Sequence, residues 1–238
     1  MTGWAPRRFY QAATAEPEGA GWTVRLDGRP VRTPAKAPLI LPNRTLAEAI
    51  AGEWAAQEGT IDPASMPLAR AANSAIDKVA LQRPEVVAML AGYGETDLLC
   101  HRAEAPAALA ARQACAWDPL LAWAAEEFPA PLTTVAGVMP VVQPPGSLAC
   151  LRAALDRLDA FELTAAHDLV TLTGSLVIGL AAVRGHLPVD DLWRAATVDD
   201  AWQAEVWGHD DEAFRAAEAR QEAFLSAARF LSLVRARP

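Results

Sequence analysis

The sequence changes character at about residue 45, and this change limits the possible folds more than any other feature. The residues before it contain short β-type runs, WTVRLDGRPVRTP and APLILP, separated by Asp27-Gly28 and by several prolines. Asp-Gly between alternating residues is a hairpin signal, because a type I′ turn needs positive φ at both central positions. The sequence therefore predicts a small antiparallel β-rich domain over residues 1–45, with Asp27 and Gly28 as structural residues.

Helical patterns take over after residue 45. Thr45 and Glu48 have the spacing of a capping box, which predicts a helix start. Trp54 falls on the apolar face of that helix, so we expect it to be a structural, packing residue. Further helices are predicted to begin at Pro84, Asp118-Pro119 and Ser147, and two long ones to cover residues 162–184 and 211–235. The predicted fold class is α+β, mainly α, with a helical domain over residues 46–238.

The charge balance argues against two classes of partner. The chain of 238 residues has 21 Lys and Arg against 29 Asp and Glu, a net charge of −8. Nucleic acids and anionic membranes are bound through clustered cations that release counterions. We therefore expect no nucleic-acid partner.

Cysteine usage and hydropathy place further limits. The three cysteines are odd in number and form no CxxC pair, so neither a disulfide framework nor a zinc ribbon is indicated. The most apolar run, residues 169–183, is shorter than the roughly 20 residues that cross a bilayer. The first residues, MTGWAPRRFYQAA, lack the apolar segment of a secretory signal. We expect a soluble protein without membrane insertion.

Residues 202–212, WQAEVWGHDDE, are the strongest candidate for a functional site. Glu205 and His209 are four residues apart, which would suit a metal enzyme or a small-molecule hydrolase. Gly208 is predicted to end the helix between them, however, and the acids that follow would complement the N-terminal dipole of the next helix. No second catalytic group is visible in the sequence.

The same residues fit a protein interface. Eight acids and one arginine lie between residues 190 and 212, with three tryptophans at 193, 202 and 207. Tryptophans beside charged residues serve as interface anchors, and they also fill ordinary helix cores. Composition alone leaves both interpretations open.

A series of distinctive motifs spans nearly the whole chain. The motifs are RRFY at 7–10, VRLDGRPVRTPAK at 24–36, LAEAIAGEWAAQ at 46–57, IDPASMPLARAANSAIDKV at 61–79, YGETDLL at 93–99, WDPLLAW at 117–123, GSLVIGLA at 174–181 and WQAEVWGHDDEA at 202–213. This series resembles that of the ATP synthase assembly chaperone family often called ATP-twelve. The order and spacing of the motifs agree with the family pattern. Ala69 and the region of Cys100-His101 depart from that pattern, and neither touches the late motif.

The resemblance implies a chaperone without enzymatic activity, cofactor or metal, whose client is the free alpha subunit of the catalytic head. Family members hold that subunit and shield the surface that later contacts the beta subunit. An essential acidic residue of the family corresponds best to Glu205, and Trp54 matches another family position. Because no mitochondrial transit peptide precedes the motifs, we expect a bacterial, cytoplasmic member that acts as a monomer.

The predicted client-binding residues are Glu205, Trp202, Trp207, Asp210 and Asp211. A structural role for Glu205, bonded to Arg7, Arg8 or Arg29, is the alternative at that position. The enzyme that uses Glu205 and His209 and a general aggregation-suppressing module are the alternatives for function.

Overall fold

The Asp27-Gly28 turn joins two strands of an antiparallel sheet, as predicted. In the sheet, β1 (Ala13–Glu18), β2 (Gly21–Leu26) and β3 (Arg29–Pro30) lie in sequence order. Asp27 and Gly28 have φ values of 46° and 78°, which a type I′ turn requires. The Asp27 carboxylate accepts hydrogen bonds from the backbone N–H groups of Ala12 and Gln11, and these bonds lower its pKa.

The structure is a computed structural model that describes residues 7–137, 139, 141–208 and 211–236. The second β-type run, APLILP, forms two isolated bridges, Leu41 with Trp22 and Pro38 with Arg32, in place of a strand. A short parallel pair consists of β4 (His101–Arg102) and β5 (Val135–Ala136). The helices are α1 (Arg44–Ala55), α2 (Pro67–Ser74), α3 (Arg83–Gly92), α4 (Ala107–Glu127), α5 (Pro145–Leu155), α6 (Ala160–Thr173), α7 (Leu176–Arg184), α8 (Val189–Ala196), α9 (Val198–Trp207) and α10 (Asp211–Val234). The α+β, mainly α fold class is confirmed.

The chain divides into two compact units, each built from separate stretches of sequence. The first contains Met1–Arg83, Ala160–Ala165 and Arg229–Pro238, and the second contains Pro84–Asp159 and Ala166–Ala228. Helices α6 and α10 therefore contribute residues to both units. Strands give way to helices close to residue 45, as predicted, whereas a domain boundary at that residue stays a prediction.

In the first unit, α1 packs against β1 and β2 over a core that includes Val24, Leu46 and Ile50, each fully buried. The N-cap of α1 is Asn43, whose side-chain oxygen accepts a hydrogen bond from the Leu46 N–H at 2.8 Å. The predicted capping box at Thr45 and Glu48 is therefore wrong. Since asparagine is an equally good N-cap, the helix begins earlier than the box pattern indicated.

Trp54 lies near the end of α1 in this unit and is half-buried. Its ring meets Tyr10 edge-on at 5.8 Å between centroids, and its carbonyl accepts a hydrogen bond from the Tyr10 hydroxyl at 2.7 Å. The Arg8 guanidinium donates to the carbonyls of Tyr10, Gln11, Ala55 and Gln57. These contacts fix the N-terminal RRFY segment against the C-terminal end of α1, where helix carbonyls lack intrahelical partners.

In the second unit, the long helix predicted over residues 162–184 is broken. Gly174 adopts a φ of 70° between α6 and α7, and Ser175 caps α7 by accepting a hydrogen bond from the Ile178 N–H at 3.0 Å. Beyond the break, Gly179 packs so closely on Val170 that an added Cβ would lie 2.3 Å from a Val170 methyl. Small residues thus allow α6 and α7 to pack closely, and the apolar pattern hid the turn between them.

The predicted helix start at Asp118-Pro119 is also wrong, because α4 runs through Pro119. A proline inside a helix costs about 3 kcal/mol. Flanking residues offset that cost, since Trp117 and Leu120 are buried in the core and Asp118 pairs with Arg102 at 2.7 Å. Similarly, α5 begins at Pro145 rather than at Ser147, whose hydroxyl donates to the Pro131 carbonyl.

Candidate functional site

Helix α9 carries the central part of the late motif and has no buried residue. It packs against α4 of the same unit. The buried amide of Gln113 in α4 donates to the Asp199 carboxylate at 2.7 Å, and the Trp117 indole N–H donates to the Ala195 carbonyl just before α9, also at 2.7 Å. These two hydrogen bonds therefore fix the start of α9 against α4.

Glu205 is paired with Arg112 of α4. Nη1 of Arg112 lies 2.7 Å from Oε1 of Glu205, and the side chains are 47% and 55% exposed. The same guanidinium stacks over the Trp202 ring at 4.8 Å from its centroid. The hydrogen bond from Arg112 lowers the pKa of Glu205, so its carboxylate stays ionised at neutral pH.

A second arginine makes a similar set of contacts at the base of α9. Arg220 of α10 pairs with Asp200 and stacks over the Trp193 ring at 5.5 Å. Trp193 in turn contacts the buried Phe224, with 5.2 Å between ring centroids. Asp200 therefore links α9 to α10, and Trp193 is a core residue.

The end of α9 and the start of α10 each carry exposed apolar side chains. Val206 is 55% exposed, Trp207 is 78% exposed, and Phe214 in the first turns of α10 is 48% exposed. Gly208 ends α9 with a φ of 88°, as the sequence predicted. We call Glu205, Val206, Trp207 and Phe214 the α9–α10 surface.

Comparison with known proteins finds similar sequences and similar solved structures. The sequence model of the ATP12 chaperone protein family matches residues 7–125. Atp12 from Paracoccus denitrificans is 51% identical, with a TM-score of 0.92 over 96% of this chain and 98% of that chain. The chain belongs to the ATP12 chaperone family.

Two further structures are similar to this member of the ATP12 family. An Asp-to-Lys mutant of P. denitrificans Atp12p is 51% identical, with a TM-score of 0.93 over 96% of this chain and 98% of that chain. A protein of Agrobacterium tumefaciens, described as a candidate chaperone, is 39% identical with a TM-score of 0.91 over 95% and 85% of the two chains. At 95–96% coverage of this chain, the likeness extends over both units.

The structure describes four of the five predicted client-binding residues of this family member, Trp202, Glu205, Trp207 and Asp211. Glu205 and Trp207 are exposed, and Trp202 is half-buried beneath Arg112. Asp211 is exposed in the first turn of α10, where its charge complements the helix dipole. Asp210 and His209 lie outside the described residues. A role in client binding stays a prediction for all five residues.

The enzyme alternative requires His209 as well as Glu205, and it stays a prediction because His209 lies outside the described residues. Within the described residues, no three His, Cys, Asp or Glu side chains lie close enough to hold a metal ion. A hollow of about 200 Å³ lies elsewhere in this unit, lined by Glu95 and by residues of α3 and α5 that include Ala91 and Leu148. No described helix is both long and apolar enough to cross a membrane.

The sequence did not reveal the hydrogen-bond partners of Glu205 and Asp199. The alternative structural role named Arg7, Arg8 and Arg29 as partners of Glu205, whereas its partner is Arg112, 93 residues away. Gln113, the partner of Asp199, is 86 residues distant. Arg112 and Gln113 lie in an alanine-rich stretch of α4 that carries no motif, so nothing local marks them.

Proposed function

We propose that this ATP12-family protein binds the unassembled alpha subunit of ATP synthase through its α9–α10 surface, and shields the part of that subunit that later contacts the beta subunit. Membership of a chaperone family supports the client-binding role. The exposure of Trp207, at 78%, is the observation that carries the choice of the α9–α10 surface. A large aromatic side chain this exposed is unusual and serves as an interface anchor when a partner covers it.

The composition of the surface suits a temporary complex. An unassembled alpha subunit exposes an apolar, partly charged interface that would otherwise aggregate. The chaperone offers apolar contact through Trp207, Val206 and Phe214, and a charged contact through Glu205. Buried apolar area provides affinity, whereas the carboxylate mainly sets orientation and encounter rate. A complex of moderate affinity can then yield to the beta subunit, which covers the same surface permanently.

The decisive experiment is a pulldown of the tagged protein from cells that make excess free alpha subunit, repeated with the beta subunit present. We expect capture of alpha alone, and loss of that capture when beta is added. Capture of many unrelated proteins would instead favour a general aggregation-suppressing module. Failure to capture alpha would contradict the proposal.

A further inference from the structure

The guanidinium of Arg112 occupies a place formed by two residues of α9. Glu205 supplies a carboxylate oxygen at 2.7 Å, and Trp202 supplies a ring face at 4.8 Å. A carboxylate beside an indole face binds a guanidinium in two ways, by a charge-assisted hydrogen bond and by a cation–π contact. The place therefore suits a guanidinium, which can make both contacts at once.

Arg112 is held there weakly. Its side chain is 47% exposed and that of Glu205 is 55% exposed. Exposed ion pairs contribute little to stability, because solvent screens them and two long side chains must be ordered. Another guanidinium could replace Arg112 at small cost, and Arg112 would then turn into solvent.

We propose that Arg112 occupies, in the free protein, the place that a guanidinium of the alpha subunit takes in the complex. This inference rests on the proposed function, in which α9 contacts that subunit. Arg112 is then an internal competitor: it keeps Glu205 and Trp202 in binding geometry and lowers the affinity for the client. Lower affinity favours later release to the beta subunit.

The second unit contains a closely matched control. Arg184 of α7 lies 3.3 Å from Glu127 of α4 and 5.4 Å from the centroid of the Phe128 ring. Its side chain is 41% exposed and that of Glu127 is 42% exposed. This pair has the same chemistry as Arg112 and Glu205, and neither of its members belongs to α9.

The test compares the Kd of purified alpha subunit for the wild type, Arg112→Met and Arg184→Met. Methionine keeps an apolar stem and removes the cation, and both variants change the net charge equally. We expect Arg112→Met to bind about two- to fivefold more tightly, the range for releasing one exposed ion pair. We expect Arg184→Met to bind like the wild type.

The outcomes separate this inference from the proposed function. If the wild type binds but Arg112→Met binds no more tightly than Arg184→Met, the inference is overturned and the proposed function stands. If the wild type does not bind alpha, both are overturned. Thermal unfolding checks that each variant is folded, and Arg112→Gln replaces Arg112→Met if the latter does not fold.

Discussion

The hydroxyl of Ser175 donates a hydrogen bond of 2.7 Å to the buried carboxylate of Asp97, 78 residues earlier in the chain. The same carboxylate accepts the backbone N–H groups of Val177 at 3.0 Å and Leu99 at 3.1 Å. Asp97 thus joins the YGETDLL motif to the N-terminal end of α7. Two of the motifs that carry the family resemblance meet at one buried acid.

Ser175→Ala should destabilise the protein by about 1–3 kcal/mol, the range for leaving a buried hydrogen-bonding group without its partner. The variant removes a donor to Asp97 and the N-cap of α7 together. Urea unfolding measures the loss. Ser232→Ala is the control, because that exposed hydroxyl bonds only a carbonyl of its own helix. Equal stability of Ser175→Ala and Ser232→Ala would contradict the prediction.

Burial should make the contribution of Asp97 to stability depend on pH. Desolvation raises its pKa above the ordinary 3.8, and hydrogen bonds from Val177, Ser175 and Leu99 offset this in part. Because the folded form holds the proton more tightly, the stabilisation is complete below the unfolded pKa and declines as pH rises through the folded pKa. Asp97→Asn lacks this titration. Relative to that variant, the wild type should lose unfolding free energy as pH increases from about 4. A flat or rising difference across a pH series would refute this.

Glu205→Lys should abolish capture of the alpha subunit and leave the thermal midpoint nearly unchanged. The side chain is 55% exposed, so its charge matters to a partner more than to the fold. Glu127→Lys, at a second exposed carboxylate paired with an arginine, is the control and should retain capture. A sharp fall in the midpoint of Glu205→Lys would instead identify the carboxylate as part of the folded framework.

Trp207→Ser should weaken binding of the alpha subunit at least tenfold, as removal of an aromatic anchor does. Leu81→Ser is the matched control, because Leu81 is 77% exposed and lies in the first unit. Binding measured by calorimetry should be unaffected in this control. Equal affinities of the two variants would place the client contact elsewhere than Trp207.

The sequence predicted those parts of the fold that depend on neighbouring residues. The Asp27-Gly28 turn, the end of α9 at Gly208 and the span of α10 follow from local φ preferences and periodicity, and the structure confirms them. The sequence does not predict that α4 continues through Pro119 or that a new helix starts at Ser175, because tertiary contacts decide both. Burial of Trp117 and Leu120 keeps α4 continuous, and the buried Asp97 favours a new helix start at Ser175.

The sequence marks the late motif as the candidate site, and its role in client binding stays a prediction, whereas the partners of its residues could not be predicted. Local composition marked Glu205 and Trp207, and both are exposed. The apolar face of α10 is buried only in its C-terminal half, since Phe224 is buried but Phe214 is 48% exposed. A helical period shows which residues share a face, and it does not show where the neighbouring helix ends.

The side-chain amide of Asn43 donates to the carbonyls of Leu233 and Val234, 190 and 191 residues later in the chain. A ribosome makes the strands and α1 before these two acceptors, which lie in α10. The first unit can therefore complete its hydrogen bonding only after α10 has been translated. Emergence of α10 from the ribosome, rather than of the strands and α1, sets the moment at which that unit acquires its full stability.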